Sequence, residues 1–213
     1  MISNNYYSQD VHGPYEMHDI GNLELEEGGT IRGCTLAYAT FGSLNGAGDN
    51  AILVPTWYSG THKIIEQVYI GKGRALDPDR YFIIVVNQIG NGLSTSPHNS
   101  PAPAGMGNFP HVRIGDDVRA QHALVTDKFG LESLALVVGG SMGAQQTYEW
   151  AVRYPDMVKR VAFITGGAVT PDTSKFLETA ARPVLNKPFT PDTLAGFVEQ
   201  LVGVGVTRAA YRP

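Results

Sequence analysis

The feature that most constrains the fold is the apolar, β-branched run from Tyr81 to Asn87, with Ile83-Ile84-Val85-Val86 at its centre. A strand that is apolar at consecutive positions is covered on both faces, which is typical of a parallel sheet packed between helices. The shorter runs Ala51 to Pro55, Leu134 to Val138 and Val161 to Thr165 have the same character. The chain is therefore predicted to contain several buried strands.

Helical patterns separate these runs. Apolar positions between Ile114 and Phe129 predict a helix that stops at Gly130, and Ala144 to Tyr154 predicts another that Pro155 closes. Strands that alternate with helices indicate an α/β fold with a mostly parallel sheet and helices on both faces. In such folds, ligands bind at the carboxyl ends of the strands.

The two ends of the chain have different patterns. Alternating residues around Glu27-Gly28-Gly29 predict an antiparallel hairpin of Asn22 to Glu26 and Thr35 to Phe41. Thr170-Pro171-Asp172 and Thr190-Pro191-Asp192 each combine a capping residue with a first-turn proline, which predicts two helices that form a lid. The predicted domains are thus a core at 1–169 and a lid-like segment at 170–213.

Composition excludes several function classes. A formal net charge of -4 without a run of Lys and Arg argues against nucleic acid, and no apolar run approaches the ~18 residues that cross a membrane. The six histidines show no metal-binding spacing. Cys34 is alone and is expected to be a small buried residue in a reducing compartment, and no secretory signal is visible before Tyr15, which favours the cytoplasm.

The motif that carries chemistry is Gly139-Gly140-Ser141-Met142-Gly143, a G-x-S-x-G sequence. With 25 glycines in the chain the pattern alone is weak, but it lies directly between a predicted strand and a predicted helix. A serine on such a turn is exposed in a strained conformation, and glycines two residues to either side leave room for the chain to close around it. Ser141 is therefore the predicted nucleophile.

Two backbone amides are candidates for the oxyanion hole. The N–H of Met142 begins the helix after the serine, where the helix dipole favours negative charge. A second donor normally comes from the loop after an earlier strand, here Thr56 to Gly60, and the N–H of Trp57 is the candidate. The rings of Trp57 and Tyr58 are either ordinary aromatics or walls of a small acyl pocket.

These residues resemble the homoserine O-acetyltransferase-like branch of the α/β-hydrolases. The similarity is carried by Gly71 to Phe82, Asp117 to Gln121, Val137 to Gln146 and Glu149 to Pro155. The resemblance implies the α/β-hydrolase fold, with Ser141 as nucleophile and Met142 and Trp57 as the oxyanion residues.

The chain departs from the transferases in two loops. They usually carry a His-Ala-Leu-Thr-Gly-like loop where this chain has Pro55 to Ser59, and a Gly-Gly-Cys-rich loop where it has Gly90 to Ser94. Hydrolysis of small, acetyl-type esters is therefore favoured, with acetyl transfer from acetyl-CoA to homoserine or a similar alcohol as the alternative. Neither reaction needs a cofactor beyond acetyl-CoA as co-substrate, and the expected partner is a small ester or acyl donor, with homodimer formation left open.

The triad base is missing from the expected place. In this fold the order is Ser, then an acid, then His, yet every histidine precedes Ser141. Asp156, Asp172 and Asp192 follow it, but surface capping is the commoner role for such residues. The resemblance places the acid and base in later strands, so the fold looks incomplete. Three explanations for the missing base remain open: a fragment of a longer enzyme, a truncated inactive product, or an unusual site in which an early histidine such as His62 reaches Ser141.

Two rival functions are weighed against acyl transfer. Gly90-Asn91-Gly92 follows a strand as a dinucleotide loop would, but the third glycine is absent, and the loop runs into Ser and Pro rather than into a helix. A catalytically silent scaffold that binds a partner is supported by the missing histidine.

Overall fold

The computed structural model describes residues 4–165, 184–186 and 189–202. Strands and helices alternate through most of this part of the chain. The strands are β1 (Glu16–Glu24), β2 (Thr30–Phe41), β3 (Ala51–Pro55), β4 (Phe82–Val86), β5 (Leu136–Gly140), β6 (Val161–Thr165) and β7 (Val184–Asn186). The helices are α1 (Gln9–His12), α2 (His62–Tyr69), α3 (Ile114–Ala123), which continues as a π turn over Leu124–Lys128, α4 (Met142–Arg153) and α5 (Pro191–Val202), with a 3-10 turn at Met106–Asn108.

The strands form one sheet in the order β1-β2-β4-β3-β5-β6-β7. β1 pairs with β2 and β2 with β4 in antiparallel fashion, whereas every pairing from β4 to β7 is parallel. This confirms the predicted α/β fold with antiparallel strands at its start. Because β5 lies between β3 and β6, the strand that leads to Ser141 is central in the sheet.

Alternate residues of the central strands enter two separate cores. Leu53 of β3 packs on one face with residues of α3 and α4, among them Val118 and Trp150. Ile52 and Val54 face the other side, where α2 and α5 cover the sheet. Helices therefore cover both faces, as the continuous apolar character of β3 and β4 predicts.

The observed boundaries agree with the predicted ones in some strands and differ in others: β5 is Leu136–Gly140 rather than the predicted Leu134 to Val138. β3 and β6 match their predicted bounds, but β1 begins at Glu16 rather than Asn22, and its first residues are mostly exposed, so no apolar alternation marked them. The prediction of a loop from Thr56 missed α2, whose amphipathic pattern is only eight residues long.

The C-terminal segment differs from the prediction in one respect. Of the two predicted lid helices, the second is present as α5, while the first lies outside the described residues. The prediction of two helices in this segment did not include β7, because a strand of three residues carries no readable periodicity. The predicted boundary between 169 and 170 also lies outside the described residues, so the division into domains stays a prediction.

Cys34 is fully buried in the core of β2, and burial raises the pKa of its thiol to about 12. The thiol is therefore protonated at neutral pH and a poor nucleophile. None of the described helices combines the length and the apolar character needed to span a lipid bilayer.

Candidate active site

Ser141 occupies a sharp bend between β5 and α4. Its φ of 55° and ψ of -123° lie in a region that L-residues rarely adopt, and its backbone is the N-cap of α4. The bend is held by hydrogen bonds from the Ser141 N–H to the Ile164 carbonyl (3.2 Å) and from the Ala144 N–H to the Ser141 carbonyl (2.9 Å). The residue is exposed, so a strained serine is presented to solvent at the carboxyl edge of the sheet.

The two flanking glycines are required by close backbone approach. A Cβ at Gly139 would lie 2.1 Å from the Gly143 carbonyl oxygen, and one at Gly143 would lie 2.5 Å from the Pro55 carbonyl oxygen. The first contact closes the bend on itself, and the second brings the start of α4 against the end of β3. The loop that contains Trp57 is thereby brought beside the bend.

Both candidate oxyanion donors are free of other acceptors within the part of the chain that the structure describes. The Met142 N–H is the first of α4 and so has no partner within the helix, and no carbonyl elsewhere accepts it. The Trp57 N–H likewise donates to no described residue, although the neighbouring Thr56 N–H is bonded to the Val86 carbonyl (3.0 Å). Amides without partners beside an exposed serine are suited to an oxyanion.

A small apolar cleft opens next to the bend. Its floor contains Gly139 and Gly140, and the ring of Trp57 forms one wall, packed so closely on Gly60 that a Cβ there would lie 2.4 Å from the ring. Tyr58, by contrast, is 67% exposed and does not line the cleft. The remaining lining is Val54, Ile65, Tyr69, Ala75, Leu76, Val138, Ile164, Leu194 and Val198. A small cleft with this apolar lining suits a small acyl group.

His62, the early histidine considered as a base, is buried and already engaged. Its N–H and ring Nδ1 contact the side chain of Asn87 at 3.0 and 3.1 Å, and burial lowers the pKa of its imidazole. Among the described residues no hydrogen bond joins it to Ser141. The contacts therefore favour a structural role at the start of α2. Of the later aspartates, Asp156 and Asp192 are exposed, and Asp172 lies outside the described residues.

Three buried glutamines behind the site were not singled out from the sequence. Gln88, Gln121 and Gln146 follow β4 or lie on α3 and α4, and each is at most 5% exposed. Glutamine is usually a surface residue, so nothing in its local sequence predicts burial. Gln121 and Gln146 do stand inside the blocks that resemble the homoserine O-acetyltransferase-like branch, and this was the available signal.

Comparison with known proteins agrees with the geometry. Residues 52–202 match the model of a family described as having the alpha/beta hydrolase fold. The ethyl acetate hydrolase of Pseudomonas veronii is 65% identical over 165 residues, which are 78% of this chain and 47% of that protein. The crystal structure of an acetylester hydrolase from Corynebacterium glutamicum is 57% identical, with a TM-score of 0.76 over 84% of this chain and 52% of the other.

The transferase branch is more distant. The homoserine O-acetyltransferase of Thermobifida fusca is 38% identical over 163 residues, 70% of this chain and 43% of that protein. The predicted resemblance is therefore confirmed, and the similarity is greater to the esterases. The chain spans about half the length of the curated relatives it matches.

Proposed function

The chain belongs to the α/β-hydrolase fold family, and we propose that Ser141 is the nucleophile for hydrolysis of small acetyl-type esters. The observation that carries the proposal is the strained, exposed Ser141, which lies beside two amide donors that bond to no described residue and next to a small apolar cleft. The printed names of the most similar relatives, an ethyl acetate hydrolase and an acetylester hydrolase, support the choice of acyl group.

The proposed reaction has two steps. Ser141 Oγ attacks the ester carbonyl carbon, the Trp57 and Met142 N–H groups stabilise the oxyanion, and the C–O bond to the alcohol breaks as the alcohol takes up the serine proton. Water then attacks the acetyl-serine, releasing acetate and restoring the hydroxyl. Both steps need a base, and within the described residues no side chain is hydrogen-bonded to Ser141 Oγ. Acylation by an activated ester is therefore expected to outpace release.

The same acyl-enzyme gives the second candidate, O-acetyl transfer, if an alcohol attacks in place of water. Its support is the 38% identity to a homoserine O-acetyltransferase, against 65% to an ester hydrolase. The proposed chemistry requires no cofactor, with acetyl-CoA as donor only in the transfer reaction. The single buried thiol of Cys34 supports the proposal of a reducing compartment such as the cytoplasm.

Incubation with p-nitrophenyl acetate tests the proposal. We expect each chain to take up one acetyl group on Ser141, slowly and without sustained turnover, because the oxyanion donors assist attack while no base among the described residues is bonded to Ser141 to assist release. The measurement is intact mass followed by peptide mapping, with nitrophenol release recorded in parallel.

Ser141→Ala is the matched control and is expected to take up no acetyl group at the α4 N-terminus. A fluorophosphonate that labels the wild type and not Ser141→Ala would give the same answer independently. Acetylation spread over lysines with none at Ser141 would favour the silent scaffold instead.

A further inference from the structure

The three buried glutamines form one hydrogen-bonded chain. The Trp150 indole N–H donates to Gln121 Oε1 (2.8 Å), Gln121 Nε2 donates to Gln146 Oε1 (2.5 Å), and Gln146 Nε2 donates to both Gln88 Oε1 and the Thr56 carbonyl oxygen (2.9 Å each). These hydrogen bonds run from Trp150 on α4 to Gln121 on α3, return to Gln146 on α4, and end at the residues that follow β3 and β4. Every side-chain amide in it is enclosed by protein.

The indole fixes the direction of every bond in this chain. An indole N–H can only donate, so the Gln121 atom that faces it is the carbonyl oxygen, and its amide nitrogen faces Gln146. By the same rule Gln146 accepts from Gln121 with its oxygen and presents its NH₂ group to Thr56. The side-chain amide of Gln146 is therefore held in the one orientation that donates to the Thr56 carbonyl.

This carbonyl belongs to the peptide unit whose N–H is the candidate oxyanion donor. The peptide between Thr56 and Trp57 is planar, so the carbonyl and the N–H point in opposite directions, and fixing one fixes the other. A second contact holds the side chain of Thr56, because its Oγ1 accepts the Gln88 N–H at 3.2 Å. Gln88 Nε2 in turn donates to Sδ of Met142 (3.4 Å), the side chain of the residue whose backbone N–H is the other candidate donor.

We propose that Gln146 is a positioning residue that aims the Trp57 N–H at the oxyanion. The inference rests on the proposed acyl transfer at Ser141. Gln146 touches no reacting atom and acts through the Thr56–Trp57 peptide. Gln146 is on α4, the helix that begins at the nucleophile. The same helix therefore also sets the direction of the Trp57 N–H, which lies in the loop after β3.

The test uses the whole chain labelled with ¹⁵N-tryptophan. The chain has only two tryptophans, so two backbone amide signals are expected, and the one that disappears in Trp57→Phe is Trp57. In Gln146→Leu we expect the Trp57 amide signal to shift, because the peptide that carries it loses its fixed orientation. Acetylation of Ser141 by saturating p-nitrophenyl acetate should slow by about tenfold or more, with the half-saturating concentration nearly unchanged, because the donor acts on the transition state.

Gln146→Glu provides a pH readout that a purely structural role would not produce. The glutamate keeps an oxygen that accepts from Gln121, but it donates to the Thr56 carbonyl only when protonated. Its acetylation rate relative to the wild type should therefore recover as the pH falls, whereas any deficit in Gln146→Leu should persist. This variant also decides the question if Gln146→Leu does not fold.

Asn50→Ala is the matched control, at the opposite end of β3. The Asn50 amide also donates to two backbone carbonyls, those of Ser43 (3.0 Å) and Arg80 (3.1 Å), so its loss removes bonds of the same kind. We expect this variant to leave the Trp57 amide and the acetylation rate as in the wild type.

The outcomes separate the two proposals. A wild-type Trp57 amide and an unchanged acetylation rate in Gln146→Leu would overturn the role of Gln146 while acyl transfer stands. A Gln146→Glu deficit that does not vary with pH would overturn it too. A wild type with no acetyl on Ser141, whose Trp57 amide still responds to Gln146→Leu, would overturn acyl transfer and support the positioning of the peptide.

Discussion

Replacing Gly139 with alanine is expected to lower the free energy of unfolding by about 3 kcal/mol, because the new methyl group meets backbone that cannot rotate away. Its Cβ would lie 2.1 Å from the Gly143 carbonyl oxygen and 2.9 Å from Thr147 Oγ1. To relieve these contacts α4 has to move away from β5. For a chain of this size the loss corresponds to a fall of about 6–12 °C in the melting temperature, measured by circular dichroism.

Gly140→Ala is the matched control, one residue along the same strand. Its Cβ would have no neighbour nearer than 3.8 Å, and Gly140 does not have a positive φ, so we expect stability within about 1 kcal/mol of the wild type. Equal melting temperatures for the two variants would show that the bend tolerates a side chain at 139. In that case the close packing of α4 on the bend could not be what holds Ser141.

Gly143 affects both the packing of α4 on the sheet and the proposed oxyanion site. A methyl group there would press on the Pro55 carbonyl, 2.5 Å away, and so separate the α4 N-terminus from the end of β3. Since one candidate donor, Met142, begins α4 and the other, Trp57, lies in the loop after β3, the glycine sets the distance between them. The second glycine of the motif thus serves the proposed oxyanion site, whereas Gly139 serves the bend itself.

The parts of the fold that could be predicted are those in which local pattern and tertiary burial agree. β3 is apolar at consecutive positions and is covered on both faces, so its bounds were read correctly. β1 begins with exposed residues held by pairing to β2, and β7 is held by pairing to β6. Strands that exist because a neighbour supplies hydrogen bonds leave little trace in their own side chains.

The candidate site also has one part that could be predicted from the sequence and one part that could not. Ser141 was found from a local motif in a local context, since a strand, a glycine-flanked serine and a helix follow one another in the chain. The partners of Gln146 are Gln121, Gln88 and the Thr56 carbonyl, which are 25 to 90 residues distant. Because glutamine is chemically satisfied by water as well as by protein, only the fold shows that these amides bond to one another.

The second large effect is expected at Asp117, whose replacement should change how the free energy of unfolding depends on pH. The residue is buried on α3, and desolvation raises the pKa of its carboxyl to about 7, although the Ile89 N–H donates to it at 2.8 Å. The neighbouring Asp116 is also buried but is paired with Arg119 and accepts the Glu26 and Arg113 N–H groups. Two adjacent aspartates thus have opposite environments, and the charge of Asp116 disfavours a second charge on Asp117.

The sign of the effect follows from where the proton is bound. The unfolded chain releases it near pH 3.8 and the folded chain near 7, so between these values the folded state holds the proton more tightly. Stability is therefore lost as the pH rises through this window. His62 acts in the opposite sense, because burial lowers its pKa from 6.5 and stability is lost as the pH falls below that value.

Asp117→Asn separates the two contributions, because the asparagine keeps a carbonyl oxygen for the Ile89 N–H and cannot ionise. Relative to the wild type, we expect the variant to gain about 2–3 kcal/mol in free energy of unfolding between pH 5 and pH 8, measured by urea titration at each pH. Asp116→Asn, which leaves Arg119 without a carboxylate partner, should instead lose stability at both values. Parallel pH profiles for the wild type and Asp117→Asn would mean that Asp117 is ionised in the folded state across this range. The buried loop that begins at Ile89 would then be anchored by a charge rather than by a neutral acid.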